Sequence, residues 1–323
     1  MENMHIPVML DKFLSFLPQS HLKQFIFIDC TLGFGGHSDS VMKIYRNVQL
    51  IGIDRDRDAI KFSSNKLSDY NDRIKIIHGK FGDLQSILIE NNCTSVDFIL
   101  IDLGLSSYQI DSFDRGFSYK FKDSLLDMRM DNNDNLTAFK ILNDYDREAL
   151  ISVFSKVKEI RCINRLVDSI IIRRKKTPWE YAKEFVDLCE GFSNYYSGRK
   201  NRKILSSSLC FQALRMEVNK EIDELFNVLI SSSKLLSEQG KLIVISYNSL
   251  EDGIVKNFFK IKSGIKIDFN NYKLENIFNN YKISQENIFN IITKKPLRPI
   301  NSEINNNSRA SSARMRVIER KYL

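Results

Sequence analysis

The chain has 323 residues, 43% hydrophobic and 27% charged, which suits two domains or one domain carrying a large insert. It holds no run of about 18 apolar residues that could cross a membrane as a helix. Its five cysteines form no C-x-x-C pair and its four histidines are dispersed, so no metal site is expected and the thiols read as reduced, in a cytosol.

The net charge of +8 is concentrated in two zones. Ser155–Lys203 carries 13 Lys/Arg against 6 Asp/Glu, and Thr293–Leu323 carries 8 against 2, on an otherwise acidic body. Solvated helix faces explain many such runs. Two basic zones in one chain point instead to a polyanionic partner.

Taken in order, Met1–Pro7 lacks the basic and apolar regions of a signal peptide. Leu10, Phe13, Leu14 and Leu17 have helical spacing, so 7–17 is predicted as a helix. Phe25-Ile-Phe-Ile-Asp29 is a short β-favouring apolar run, expected as a buried parallel strand. It runs into Gly33-Phe-Gly35-Gly36-His37, a turn with three glycines in four positions, and then a helical pattern over 38–45. Strand, glycine turn and helix form the ligand-cradling unit of doubly wound α/β folds. A second strand, 48–54, ends in Asp54, placed 21 positions after Gly33 as a ribose-binding acid would be. The order Asp29-x-x-x-Gly33-x-Gly35-Gly36 departs from the nicotinamide pattern G-x-G-x-x-G and resembles more closely the S-adenosylmethionine signature of class I methyltransferases.

A helix over 56–67 and a third strand, 73–78, follow, with Phe81 in the loop at its carboxyl end, where an aromatic can cover an adenine or simply fill core. The fourth strand, 96–102, ends in Asp102 beside Gly104, with Ser106 to Gln109 continuing the loop. Asp54 and Asp102 should face one crevice, with Asp102 either an electrostatic or proton-accepting group or only a cap for the loop. Sheet patterning then stops. Helices are expected at 136–142, 147–157, 160–173 and 178–190. Tyr195 and Tyr196 beside Arg199, Lys200, Arg202 and Lys203 could stack on unpaired bases while the cations hold phosphates.

One long helix is predicted over 209–236, a fifth strand over 240–247, and a helix N-capped by Ser249. Residues 262–290 read as low-complexity drift, in which Glu-Asn-Ile-Phe-Asn occurs at 275–279 and again at 286–290. Strands at 287–293 and 315–319 would close the sheet, with Arg309, Arg314 and Arg316 near the crevice mouth. The expected domains are 1–109 and 206–323 for the sheet, and 110–205 for an inserted helical substrate domain.

These blocks resemble the bacterial 16S rRNA (cytosine-N4)-methyltransferase family nearly end to end. They include His5-Ile-Pro-Val, Asp29-Cys-Thr-Leu-Gly-Phe-Gly-Gly-His37, Ile53-Asp-Arg-Asp56, His78-Gly-Lys-Phe81, Asp102-Leu-Gly-Leu-Ser-Ser107, Arg115-Gly-Phe-Ser118 and Leu126-Asp-Met-Arg-Met-Asp131. Phe211-Gln-Ala-Leu-Arg215, Ser249-Leu-Glu-Asp252 and Ile292-Thr-Lys-Lys-Pro296 continue the series.

The resemblance implies a class I S-adenosylmethionine-dependent methyltransferase, an α/β Rossmann-like sheet with an inserted helical domain. It implies methylation of a cytidine N4 in the decoding region, with 16S rRNA or the small ribosomal subunit as partner, a cytoplasmic location and no membrane; a homodimer is left open. By position, Gly35, Gly36 and His37 would cradle the methionine end of the cofactor, Asp54 its ribose and Phe81 its adenine, with Asp102 and Gln109 completing the pocket. The chain departs from the family pattern at Tyr108 (usually proline), at Asn248 (usually histidine) and over Leu205–Cys210, where the family tends to carry His-Pro-Ala-Thr-Arg-Thr. The alternative this raises is an RNA-binding methyltransferase relative with weak or no turnover. An NAD-dependent oxidoreductase and a small-molecule methyltransferase fit the glycine order and the basic insert less well.

Overall fold

Alternating apolar strands and amphipathic helices build a parallel sheet in the first third of the chain. The computed structural model describes residues 7–195, 206–267, 269 and 272–322, with the side chains of 193–195 and of 272 and 273 set aside. A short helix α1 (Leu10–Leu14) leads into β1 (Phe25–Asp29), α2 (Gly36–Ile44), β2 (Val48–Asp54), α3 (Arg57–Lys66), β3 (Ile74–His78), α4 (Leu84–Glu90) and β4 (Val96–Asp102). The central strands are buried along most of their length because helices cover them, as a parallel sheet requires.

The chain then becomes helical: α5 (Ser107–Asp111), α6 (Ala138–Asp144), α7 (Arg147–Ser155), α8 (Ile163–Arg174), α9 (Ala182–Tyr195) and α10 (Ser207–Val218). It returns through α11 (Glu221–Leu235), β5 (Leu236–Ser246), α12 (Ser249–Lys262), α13 (Tyr272–Tyr281), β6 (Phe289–Ile291), α14 (Asn301–Asn306) and β7 (Arg314–Arg320). The seven strands are ordered β3-β2-β1-β4-β5-β7-β6, with β1 to β5 mutually parallel and β7 antiparallel to both β5 and β6.

Two compact units result. The first, 1–104 with 223–323, holds the sheet. Phe13, Phe27, Val41, Leu50, Leu100, Ile243 and Val317 are among the side chains of its core. The second, 105–222, holds the helices. Its centre is aromatic: Phe185 lies 5.8 Å from Trp179, 6.2 Å from Phe154 and 6.0 Å from Phe211. There Lys156 and Lys220 converge on Glu217, and Tyr145 donates to it at 3.0 Å. Burial alone would raise the Glu217 carboxyl, but the two lysines bring it down to about 2.

Several expectations are corrected. The helical unit extends past 205 to 222, because Phe211 on α10 packs in its aromatic centre. The long helix expected over 209–236 is two helices, although its apolar spacing is continuous. The Asn219 amide donates to the Arg215 and Met128 carbonyls and accepts from the Met130 amide, and Lys220 turns left-handed at φ 52°. The stretch 262–290 is not drift: it contains α13 and β6. Its twin pentapeptides fold differently, with Phe278 buried from a helix and Phe289 from a strand, so tertiary context overrides local propensity. Asn248, not Ser249, caps α12, accepting from the Leu250 and Glu251 amides at 3.0 and 2.9 Å.

Candidate functional site

Parallel strands end on one side of a sheet, so the acids that terminate β1, β2 and β4 share a rim: Asp29, Asp54 and Asp102. The glycine turn crosses this rim between β1 and α2. Gly33 and Gly35 have φ of +51° and +68°, which a side chain would strain. A Cβ at Gly33 would meet only the Thr31 carbonyl, at 3.8 Å, so the backbone there is open for a ligand to lie against. At Gly36 the space is already taken, since a Cβ would come within 2.6 Å of Pro7.

Asp54 ties the turn down. One carboxylate oxygen accepts the Gly33 amide at 2.7 Å and the other the Asp56 amide at 2.8 Å. Burial pushes its carboxyl up to about 6, against the pull of those two amides. Asp29 is also pushed up to about 6 by burial, although neighbouring His37 and the Ser38 hydroxyl, at 2.7 Å, oppose the shift. Asp102 is held by its backbone, whose amide donates to the Thr31 hydroxyl at 2.7 Å.

The expected site residues are distributed as follows. The glycine turn, Asp54 and Asp102 lie together on the rim. Phe81 is half-buried at the carboxyl end of β3, in a 3-10 turn whose Gly82 amide donates to Glu224 at 2.9 Å. The His37 imidazole is turned into the core: its Nε2 donates to the Val8 carbonyl at 3.0 Å and Phe13 stands edge-on to it at 5.2 Å. Burial lowers the pKa of this ring, and the part of His37 left for a ligand is its amide in the first turn of α2. Gln109 belongs to the helical unit, where it closes a capping box with Ser106 through two 3.1 Å bonds. Arg316 is committed to Asp252 by bonds of 2.6 and 3.1 Å and is buried rather than presented to a ligand. Of the tyrosine–cation segment, Tyr195 closes α9 rather than lying in a loop, and 196–203 lie outside the described residues.

One rim residue has no signal in the sequence. Tyr247 follows β5, and burial together with the nearby Asp102 carboxylate pushes its phenol well above the ordinary range. Its ring occupies the space a side chain at Gly104 would need, 2.8 Å from a Cβ there.

Open backbone at Gly33, a partly exposed acid 21 positions on and two more acids on the rim fit a cationic ligand carrying a ribose. Ribose hydroxyls donate best to an ionised Asp54, so protonation competes with binding. Affinity for such a ligand is therefore expected to be about tenfold weaker at pH 5 than at pH 7. Calorimetry across that range checks this, and a flat profile would contradict it.

Among the described residues no helix is long and apolar enough to cross a membrane, and no group of His, Cys, Asp and Glu could hold a metal ion. A family model described as the MraW methylase family matches residues 2–321. Ribosomal RNA small subunit methyltransferase H of Campylobacter jejuni is 37% identical over 318 residues, 98% of this chain and 97% of the relative. The protein of the same name from Helicobacter pylori is 38% identical over 320 residues, 98% of each chain. That from Caldicellulosiruptor bescii is 37% identical over 317 residues, 98% of this chain and 99% of the relative.

Proposed function

Because the chain belongs to the MraW methylase family, we propose that it methylates the N4 amine of a cytidine in the decoding region of 16S rRNA, using S-adenosylmethionine. It is a class I S-adenosylmethionine-dependent rRNA methyltransferase, and small-subunit rRNA is its substrate class. End-to-end similarity to relatives named for small-subunit rRNA methylation carries this reading. The acids around an open glycine turn support it independently.

Bound S-adenosylmethionine supplies an electrophilic methyl group on a positively charged sulfur. In this reading Asp54 accepts the ribose hydroxyls, the turn at 33–37 receives the methionine end through bare backbone and the first amides of α2, and Phe81 covers the adenine. Asp29 and Asp102 add negative potential on the rim, suited to a sulfonium.

The cytosine amine is a weak nucleophile, because its lone pair is delocalised into the ring. The protein's share is to hold N4 in line, where alignment supplies much of the rate, and to take up a proton. Asp102 is the acceptor this reading assigns to the N4 proton. The target base has to be unpaired, or turned out of its stack, to reach the rim.

Asp102→Ala is expected to lower N4 methylation by about 10²–10⁴-fold with much smaller loss of cofactor affinity. Mass spectrometry of nucleosides from methylated small subunits measures it, and undiminished methylation would remove Asp102 from the mechanism. The same measurement on rRNA from cells with and without this gene product tests the whole reading. Unchanged N4-methylcytidine would favour an RNA-binding relative without turnover, which the departures at 205–210 and Asn248 also suggest.

A further inference from the structure

A second concave feature lies at the other end of the sheet from the acid rim. β7 begins at Arg314, opposite Ser246 at the carboxyl end of β5, and runs back to Arg320. At about 3.3 Å per residue, Arg320 lies roughly 20 Å from the level of the rim. There the last turns of α11 and α12, the end of α13 and the loop into β6 enclose a cavity of about 470 Å³, with Arg320 on its wall. That volume falls within the range of small-molecule sites. Every residue lining it belongs to the sheet unit.

The wall is cationic. Among the described residues, Lys234, Lys262, Lys282 and Arg320 line it against one carboxylate, Glu286, with Asp223 behind Tyr281. Lys262 is buried, its ammonium donating to Glu286 at 2.8 Å and to the Ser284 hydroxyl at 3.3 Å. Arg320 is fixed by a 3.1 Å bond to the Ser233 carbonyl. Lys234 and Lys282 are exposed. Tyr281 supplies an aromatic wall: its ring stacks on Phe226 at 4.0 Å and 8°, and its hydroxyl donates to Asp223. Ile283 and Ile288 add apolar surface. Cations beside a fixed ring are the combination that stacks a base and holds its phosphate.

We infer that this cavity is a nucleotide-binding site separate from the methyl-transfer rim, with Lys234, Lys282 and Arg320 on the phosphate and Tyr281 beside the base. The occupant is a free mononucleotide or one nucleotide of an RNA strand, which bring the same chemistry. Cations at helix ends also complement the helix dipoles. That role requires neither a shared cavity nor an aromatic wall, and binding and melting read together separate the two.

The test is calorimetry of uridine 5′-monophosphate with the whole protein, the rim saturated by S-adenosylhomocysteine. One molecule should bind, about tenfold or more tighter than uridine, which lacks the phosphate. Lys282→Gly removes a cation without straining the backbone, since residue 282 is already left-handed at φ 45°. Lys234→Gln removes another from the exposed surface. Each should weaken the nucleotide about tenfold, with S-adenosylmethionine affinity unchanged and melting temperature little altered. Hexauridylate separates the two sources. Tighter binding than the mononucleotide, with the same losses in the variants, marks an RNA strand; binding no tighter marks a free nucleotide.

Nucleotide binding that is unchanged in both variants would overturn the proposal. So would its loss once S-adenosylhomocysteine is added, which would put the nucleotide on the rim. Inorganic phosphate bound as tightly as the nucleotide would reduce the cavity to a bare anion patch and overturn it too. A lowered melting temperature with binding intact would show that the lysines serve only the helix ends. None of these readouts involves turnover, so failure of the methylation reading leaves them in place.

Discussion

Asp54→Ala is expected to weaken binding of S-adenosylmethionine by about 100-fold or more, while the cofactor-free protein melts within a few degrees of the parent. The affinity loss follows from removing a charged acceptor for two ribose hydroxyls, each such bond contributing roughly 1.5–3 kcal/mol. The small change in melting is less obvious, because the same carboxylate holds the Gly33 and Asp56 amides. Leaving a buried amide unsatisfied costs about 1–3 kcal/mol.

Against that, the carboxyl is pushed from an ordinary 3.8 to about 6, so folding it in ionised form at neutral pH costs about 3 kcal/mol. The two effects offset one another. The sign with pH follows. A raised folded pKa contributes stability that is fully present below about 3.8 and is lost as pH rises through about 6. The parent's sheet unit should therefore gain stability from Asp54 as pH falls from 7 towards 4, and Asp54→Ala should not. Calorimetry gives both numbers. An affinity within threefold of the parent would show that the ribose is held elsewhere. A collapse in melting temperature would show that Asp54 serves the turn rather than the ligand.

The strand ends and the glycine turn that make up this rim are legible in the sequence. Strand, turn, helix, strand and terminal acid are local features, and each of Asp29, Gly33, Gly35 and Asp54 carries its meaning in its immediate neighbours. The hydroxyl beside Asp102 does not. Tyr247 lies 145 positions away, and only the pairing of β4 with β5 brings the two together. The break at Asn219 was hidden for a similar reason. Leu214 and Val218 are buried in one unit and Leu225 and Leu229 in the other, yet all fit one helical face, and what ends α10 is an amide bonding to the loop at 128–130. At His37 the sequence does not distinguish side chain from backbone. Its place in the turn points to a ligand contact, while the imidazole itself packs in the core against Val8 and Phe13, which leaves that role to the amide.

Trp179→Ala is expected to remove the helical unit's stability without removing the cofactor site. The indole is fully buried, edge-on to Phe185 at 88°, beneath the Arg173 guanidinium at 4.0 Å, with its N–H donating to the Ile170 carbonyl at 3.2 Å. Truncating a core tryptophan costs about 3–5 kcal/mol. A domain of this size has roughly 5–15 kcal/mol of stability in all, so the helical unit's melting should fall by on the order of 15 °C. The glycine turn, Asp54 and Asp102 all belong to the other unit, whose core shares no residue with the Trp179 cluster. Scanning calorimetry should then show two transitions where the parent shows them closer or merged, with only the upper one raised by S-adenosylmethionine. Methylation of small subunits should be lost, because the unit carrying the basic segment no longer holds its shape. One transition, lowered as a whole and still raised by cofactor, would mean instead that the two units unfold as one.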